Sequence, residues 1–277
     1  MAAEVVGPGQ RVLNVAPSPA RGDDDTPDAA ERAGHLRLVD PPERVDLRAP
    51  WYAVGDQSET GSCVGWALAD SVLWRQLVRA GRLTERDRLS PRFMWMAAKE
   101  MRAKLSEVKG APEWHPTTFL DQGMTDVKSA LDVARTFGAA LEVDLPFRGS
   151  LYPGAIDGFY ESARQRKITR YYRLDPADDP PAVWFDHWRR WIDQHGPVLI
   201  VVGVDRDFGE NEPTSLEAFD YDSLSEKHAA ALVGYGPGGF IVRSSWGDDW
   251  GADGYKVATE GYLTEATVES YGVVIAD

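Results

Sequence analysis

The 277-residue chain is poor in the side chains that usually carry covalent or metal chemistry: it has one cysteine, Cys63, and five histidines. A single cysteine excludes an intramolecular disulfide, and a soft-ligand metal site would need several more such side chains. Basic residues are scarce too, with 30 Lys and Arg against 44 Asp and Glu for a net charge of −14. Phosphate binding relies on basic surface, so neither nucleic acid nor an anionic membrane is an expected partner. No apolar stretch reaches membrane-spanning length, and MAAEVVGPGQRVLNVAP lacks a basic region followed by an apolar one, so no secretory signal is expected. With no disulfides, the expected compartment is reducing, and cytoplasmic by default. What the chain does have is 43% hydrophobic and 10% aromatic residues, a globular composition able to bury one large core.

Residues 1–44 differ from the rest. They hold six of the 18 prolines and the acidic run Asp23, Asp24, Asp25, which predicts an extended or flexible arm with at most a short helix around Asp28 to Leu36. Residues 45–155 carry helical patterns, including Pro91 to Ala103 and Thr125 to Phe137. Residues 156–277 are strand-rich, with apolar runs at Val198–Val202, Ala229–Val233, Phe240–Val242, Tyr255–Val257 and Val273–Ile275 and a helix across Ala182 to His195.

Cys63 stands six residues after Gln57, in DQSETGSCVGWALAD. Taken alone, a lone cysteine is more often an inert core residue than a reactive one. From Val64 to Ala80 apolar residues cover most of the helical circumference, so a helix buried on nearly all sides is predicted, entered at Gly61 and Ser62 and ended at Gly81. Cys63 then sits at the positive end of the helix, where unpaired backbone N–H groups favour a thiolate.

The second informative stretch is KHAAALVGYGPGGFIVRSSWGDDWGADGYKV, from Lys227 to Val257. His228 opens an apolar strand, and Pro237, Gly238 and Gly239 turn it into a second. A histidine at the lip of a strand can face a cleft while its neighbours fill a core. The other histidines read more plainly: His195 at a helix end, where its charge suits the C-terminus, His187 among tryptophans at helical spacing, and His35 and His115 without visible partners.

With Gln57 and Cys63 at this spacing, His228 followed by an apolar strand and GYG, and SWGDDWGADGY from Ser245 to Tyr255, the chain resembles the papain-like cysteine peptidases, family C1, in particular their bacterial members without disulfides. The likeness runs from Pro42 to the C-terminus. It implies an α+β, two-lobed fold, with a helical N-terminal lobe (45–155) and an antiparallel β-barrel-like C-terminal lobe (156–277), and the active site in the cleft between them. It implies Cys63 as nucleophile, His228 as acid and base, Gln57 with the Cys63 backbone N–H as oxyanion donors, Trp246 as a cover over the histidine beside the substrate, and Gly123 as a close approach for substrate backbone. The family's histidine-orienting asparagine falls on Ser244, whose side chain is shorter by roughly one bond, about 1.5 Å, so weakened activity is expected. A second departure, Val64, Gly65 and Trp66 after the nucleophile, is expected to alter helix packing more than chemistry. The implied function is a cysteine endopeptidase acting on peptide or protein substrates through a thioester, with no metal or organic cofactor. A catalytically silent peptide-binding module and an amide-transfer or ligation enzyme using the same thioester are the alternatives.

Overall fold

The computed structural model describes residues 15–19, 25–48, 53–104, 124–148 and 156–276. Gly123 and His115 lie outside the described residues.

The predicted central helix runs over residues 63–79, but it is not wound uniformly. An α-helical start, Cys63–Gly65, gives way to a π-helical stretch, Trp66–Leu73, and then to an α-helical end, Trp74–Arg79. Apolar residues cover most of the helical circumference here, so the pattern carries little phase to separate a period of 3.6 from a wider one. The end is as expected: Gly81 adopts φ +69°, and the N–H groups of Gly81 and Arg82 bond back to Val78 (3.0 Å) and Leu77 (2.9 Å). The start differs. Ser62 occupies the capping position without a side-chain bond to the helix, its hydroxyl instead lying 2.6 Å from that of Thr60.

A second helix, Pro91–Lys104, presses against this start. A Cβ on Gly65 would fall 2.3 Å from the Pro91 carbonyl oxygen, so only glycine permits the approach. A third, Val127–Thr136, begins two residues later than the apolar pattern suggests, because Asp126 caps it by accepting from the Ser129 N–H at 2.8 Å.

The described residues form eight strands, in chain order β1 (Val45–Asp46), β2 (Ile168–Arg173), β3 (Val198–Gly203), β4 (Ser215–Leu216), β5 (Lys227–Gly236), β6 (Gly239–Arg243), β7 (Tyr255–Ala258) and β8 (Thr267–Ile275). They form one open sheet in the order β2-β8-β3-β5-β6-β7-β4, with β1 added to β5; every pairing is antiparallel except β4 with β7. Alternation along β5 serves two cores. Ala229, Ala231 and Val233 face the helices with Cys63, Val64 and Leu68, whereas Ala230 and Leu232 face a second cluster built with Trp188, Trp191 and Phe240 from the helix Pro181–Gln194 and β6.

Strand β2 and the helix Glu260–Ala266, capped by Thr259, lie outside the sequence reading. The N-terminal residues are also better anchored than their composition suggests. Around the helix Pro27–Arg32, Ala30 and Leu36 belong to the second core, His35 Nδ1 meets the Tyr172 hydroxyl at 2.7 Å, and the Gln194 amide bonds both the N–H and the C=O of Arg37 at 2.9 Å. Further upstream, Val15 pairs with Thr125 and Ser18 donates to Glu269 at 2.9 Å. His195, expected to lend charge to a helix end, stacks on Trp191 at 4.4 Å, and burial pushes its pKa down.

Candidate active site

Three separate segments meet at the start of the central helix. Cys63 is its first residue and is fully buried, and the short stretch Cys63–Gly65 packs against β5, which carries His228. The loop before the helix is tied to the loop after β6: Asp56 bridges Trp246, the Gln57 N–H donates to the Ser245 carbonyl at 2.8 Å, and the Ser245 hydroxyl donates to Gln57 Oε1 at 2.6 Å. That last bond sets which way the Gln57 amide lies, so its Nε2 is turned to the helix side, where it donates to the Thr60 carbonyl at 2.7 Å.

His228 is fully buried and sits opposite Val202 on β3. Its Nε2 lies 3.2 Å from Ser244 Oγ, so serine reaches the imidazole directly in spite of its shorter side chain. Trp246 lies over the imidazole with ring centroids 4.3 Å apart and planes at 40°. Of the residues singled out from sequence, Gln57, His228, Ser244 and Trp246 are therefore linked through these contacts, and Cys63 opens the helical stretch packed against the strand of His228.

Two groups of neighbours escape the sequence reading. Phe208 packs on both His228 (5.8 Å between centroids) and Trp246 (5.4 Å), and its carbonyl accepts from the Trp250 indole at 2.8 Å. Asp205 holds the turn that presents it, taking the Phe208 N–H at 2.9 Å and the Tyr262 hydroxyl at 2.8 Å. The available signal was Asp205 three residues before an aromatic, a capping pattern. The second group is ionic: Arg243, the residue before Ser244, donates to Asp70 of the central helix at 2.8 Å and to the Tyr255 hydroxyl at 2.7 Å, with both charged side chains buried. Glu142 is close to Asp70. Burial raises its carboxyl to about 7, the Phe147 N–H pulling the other way and Asp70 adding to the rise. Phe147 in turn packs edge-on against Trp66, one turn along from Cys63, at 4.9 Å.

Among the described residues no group of three or more His, Cys, Asp or Glu side chains could hold a metal ion, and no helix is long and apolar enough to cross a membrane.

The sequence profile described as papain family cysteine protease matches residues 127–275. A cathepsin L-like proteinase of Fasciola hepatica is 24% identical over 223 residues, or 77% of this chain, and the chain spans 59% of that relative's length. Papain of Carica papaya is 46% identical over 46 residues, 17% of this chain and 12% of papain's sequence. Among solved structures, xylellain, a cysteine protease from Xylella fastidiosa, superposes with a TM-score of 0.73 at 21% identity, covering 96% of each chain. Digestive procathepsin L 3 of Tenebrio molitor larval midgut gives 0.55 at 21% identity, covering 84% of this chain and 71% of its own. These structural likenesses speak to the fold.

Proposed function

The chain belongs to the papain family of cysteine proteases, and from that premise we propose that it is a cysteine endopeptidase hydrolysing peptide bonds of peptide or protein substrates through a Cys63 thioester. The observation that carries this reading is the 3.2 Å contact between Ser244 Oγ and His228 Nε2. It gives the imidazole an acceptor on one nitrogen, and in the proposed reaction Nδ1 exchanges a proton with the Cys63 thiol.

In the proposed reaction, Cys63 Sγ attacks the amide carbonyl as a thiolate, formed by passing its proton to His228 and stabilised by the helix N-terminus. The oxyanion takes hydrogen bonds from the Cys63 N–H and from the second Nε2 hydrogen of Gln57, the first being committed to Thr60. Protonated His228 then gives its proton to the leaving amine. Neutral again, it draws a proton from water, which attacks the thioester and releases the acid. Ser244 stabilises the imidazolium and Trp246 shields it from solvent, which strengthens the thiolate–imidazolium attraction. A reducing, cytoplasmic setting is part of the proposal, since the reactive group is a free thiol.

The Ser244 contact also favours an active enzyme over a silent binding module, because it supplies the orienting acceptor that such a module would not need. The test is labelling with a peptidyl epoxide or aldehyde, read by intact mass, together with cleavage of a peptide library. One adduct, absent in Cys63→Ala, and cleavage lost in the same variant are expected. Labelling without cleavage of any peptide would move the reading to amide transfer or to binding.

A further inference from the structure

The buried pair of Asp70 and Arg243 has no part in bond making, and stability alone does not account for it. Replacing a buried ion pair with well-packed apolar residues is often neutral or stabilising, because desolvating two charges offsets most of their attraction. Its position is more telling. Asp70 lies seven residues after Cys63 on the same helix, within the π-helical stretch. Arg243 ends β6 and is bonded through its backbone to Ser244, whose hydroxyl meets His228. Across β6 and β7, Arg243 faces Tyr255 in register, and its guanidinium spans Asp70 on one side and the Tyr255 hydroxyl on the other. One planar group thus ties the helix carrying the nucleophile to the strand end carrying the histidine's acceptor.

Building on the proposed peptidase chemistry, we propose that Asp70 and Arg243 are positioning residues that fix Ser244, and through it the His228 imidazole, relative to Cys63. A fork held at both ends leaves the backbone at residue 243 little freedom, and Ser244 has no longer side chain with which to follow the imidazole if that backbone shifts. Charged and titratable groups facing the pair include Tyr255, Arg48 over the Tyr255 ring at 5.9 Å, and Glu142 beside Asp70.

The test compares wild type with Asp70→Leu/Arg243→Met, which removes both charges together, and with Arg243→Lys, which keeps a cation but not the fork. Four quantities are read: Tm, kcat and KM on a cleavable peptide, and the pH profile of Cys63 alkylation by iodoacetamide. In the double variant kcat should fall about tenfold with KM within about twofold, as for a loss felt only in the transition state. The alkaline end of the alkylation plateau, where His228 loses its proton, should move down by about half a pH unit or more, since a poorly placed Ser244 no longer stabilises the imidazolium. Tm should change by no more than about 4 °C. Arg243→Lys should lie between, with a roughly threefold loss of kcat. Wild-type kcat and plateau in the double variant would overturn the assignment. If that variant does not fold, unchanged kcat and plateau in Arg243→Lys would overturn it as well. A wild-type protein whose alkylation shows no plateau at all would instead overturn the thiolate–imidazolium chemistry, and this assignment with it.

Discussion

The two sides of the candidate active site are held by different means. On the nucleophile side the main chain decides: Cys63 is placed by the helix it begins, by the close approach of Gly65 to Pro91, and by the backbone bond from Gln57 to Ser245. On the histidine side the strand fixes only where the side chain starts, and the imidazole is oriented by other side chains, namely Ser244, Trp246 and Phe208. The contrast teaches where each kind of damage should appear. Substitutions on the nucleophile side should cost stability, because backbone packing is shared by the whole helical core. Substitutions on the histidine side should cost chemistry, in addition to whatever packing they remove.

Trp246→Ala is the largest expected effect. Uncovering the imidazole should lower kcat on a peptide about a hundredfold with little change in KM, and should change the alkaline end of the pH profile. Denaturant unfolding should also show a loss of about 3–5 kcal/mol, the usual consequence of emptying a buried tryptophan site. A stability loss without any change in the pH profile would break the contrast.

Gly65→Ala tests the opposite side. Its methyl group would sit on the Pro91 carbonyl, and the helix Pro91–Lys104 would have to move, so a loss of about 2–3 kcal/mol is expected. Activity per folded molecule, titrated with an active-site label, should stay within about threefold. A much larger loss would mean that helix packing, too, tunes the chemistry.

Ser244→Asn sharpens the histidine side. The longer amide should hold the imidazole in register with Cys63 and raise kcat/KM about tenfold, equal to about 1.4 kcal/mol. Unchanged or lowered kcat/KM would show that the 3.2 Å serine contact is already sufficient.

The smallest expected effect belongs to Glu142, whose carboxyl is raised from 4.5 to about 7 by burial. Because its folded pKa exceeds the unfolded one, the folded state binds the extra proton between about pH 4.5 and 7, and stability falls as pH rises through that window. Partial exposure screens the penalty, leaving about 1 kcal/mol above pH 7. Glu142→Gln mimics the protonated acid, so thermal melts at pH 8 should rise by about 2–4 °C, while melts at pH 4 should hardly change.

Much of this was legible in the amino-acid order, and for identifiable reasons. Cys63, Gln57 and the Ser245 to Tyr255 run stand at spacings that resemble those of the papain-like family, so local motifs single them out. The central helix and five strands show in apolar periodicity, and Gly81 marks a helix end through the conformation that glycine readily adopts. Less legible was the way the helix winds, since apolar residues around most of the helical circumference leave little phase. Asp70 and Arg243 resisted too: they lie 173 residues apart, and nothing in either local sequence distinguishes a buried ion pair from two solvated charges. Phe208 belongs with them, as an aromatic in a turn looks alike whether it faces a core or an imidazole.

The N-terminal residues show the same division from the other side. Proline and acidic content predict an extended or flexible arm, whereas Ala30, Leu36 and His35 are held by the tryptophan-rich far face of the sheet and by Tyr172. Composition reports how much apolar surface a segment can offer, not what surface waits for it elsewhere. By itself, then, the sequence determined the family, the helix that presents the thiol and the strand that presents the imidazole, because each depends on residues close together in the chain. Only the tertiary structure decided which side chains hold the imidazole and which ion pair ties its strand to the nucleophile's helix, because those contacts join segments that no local rule brings together.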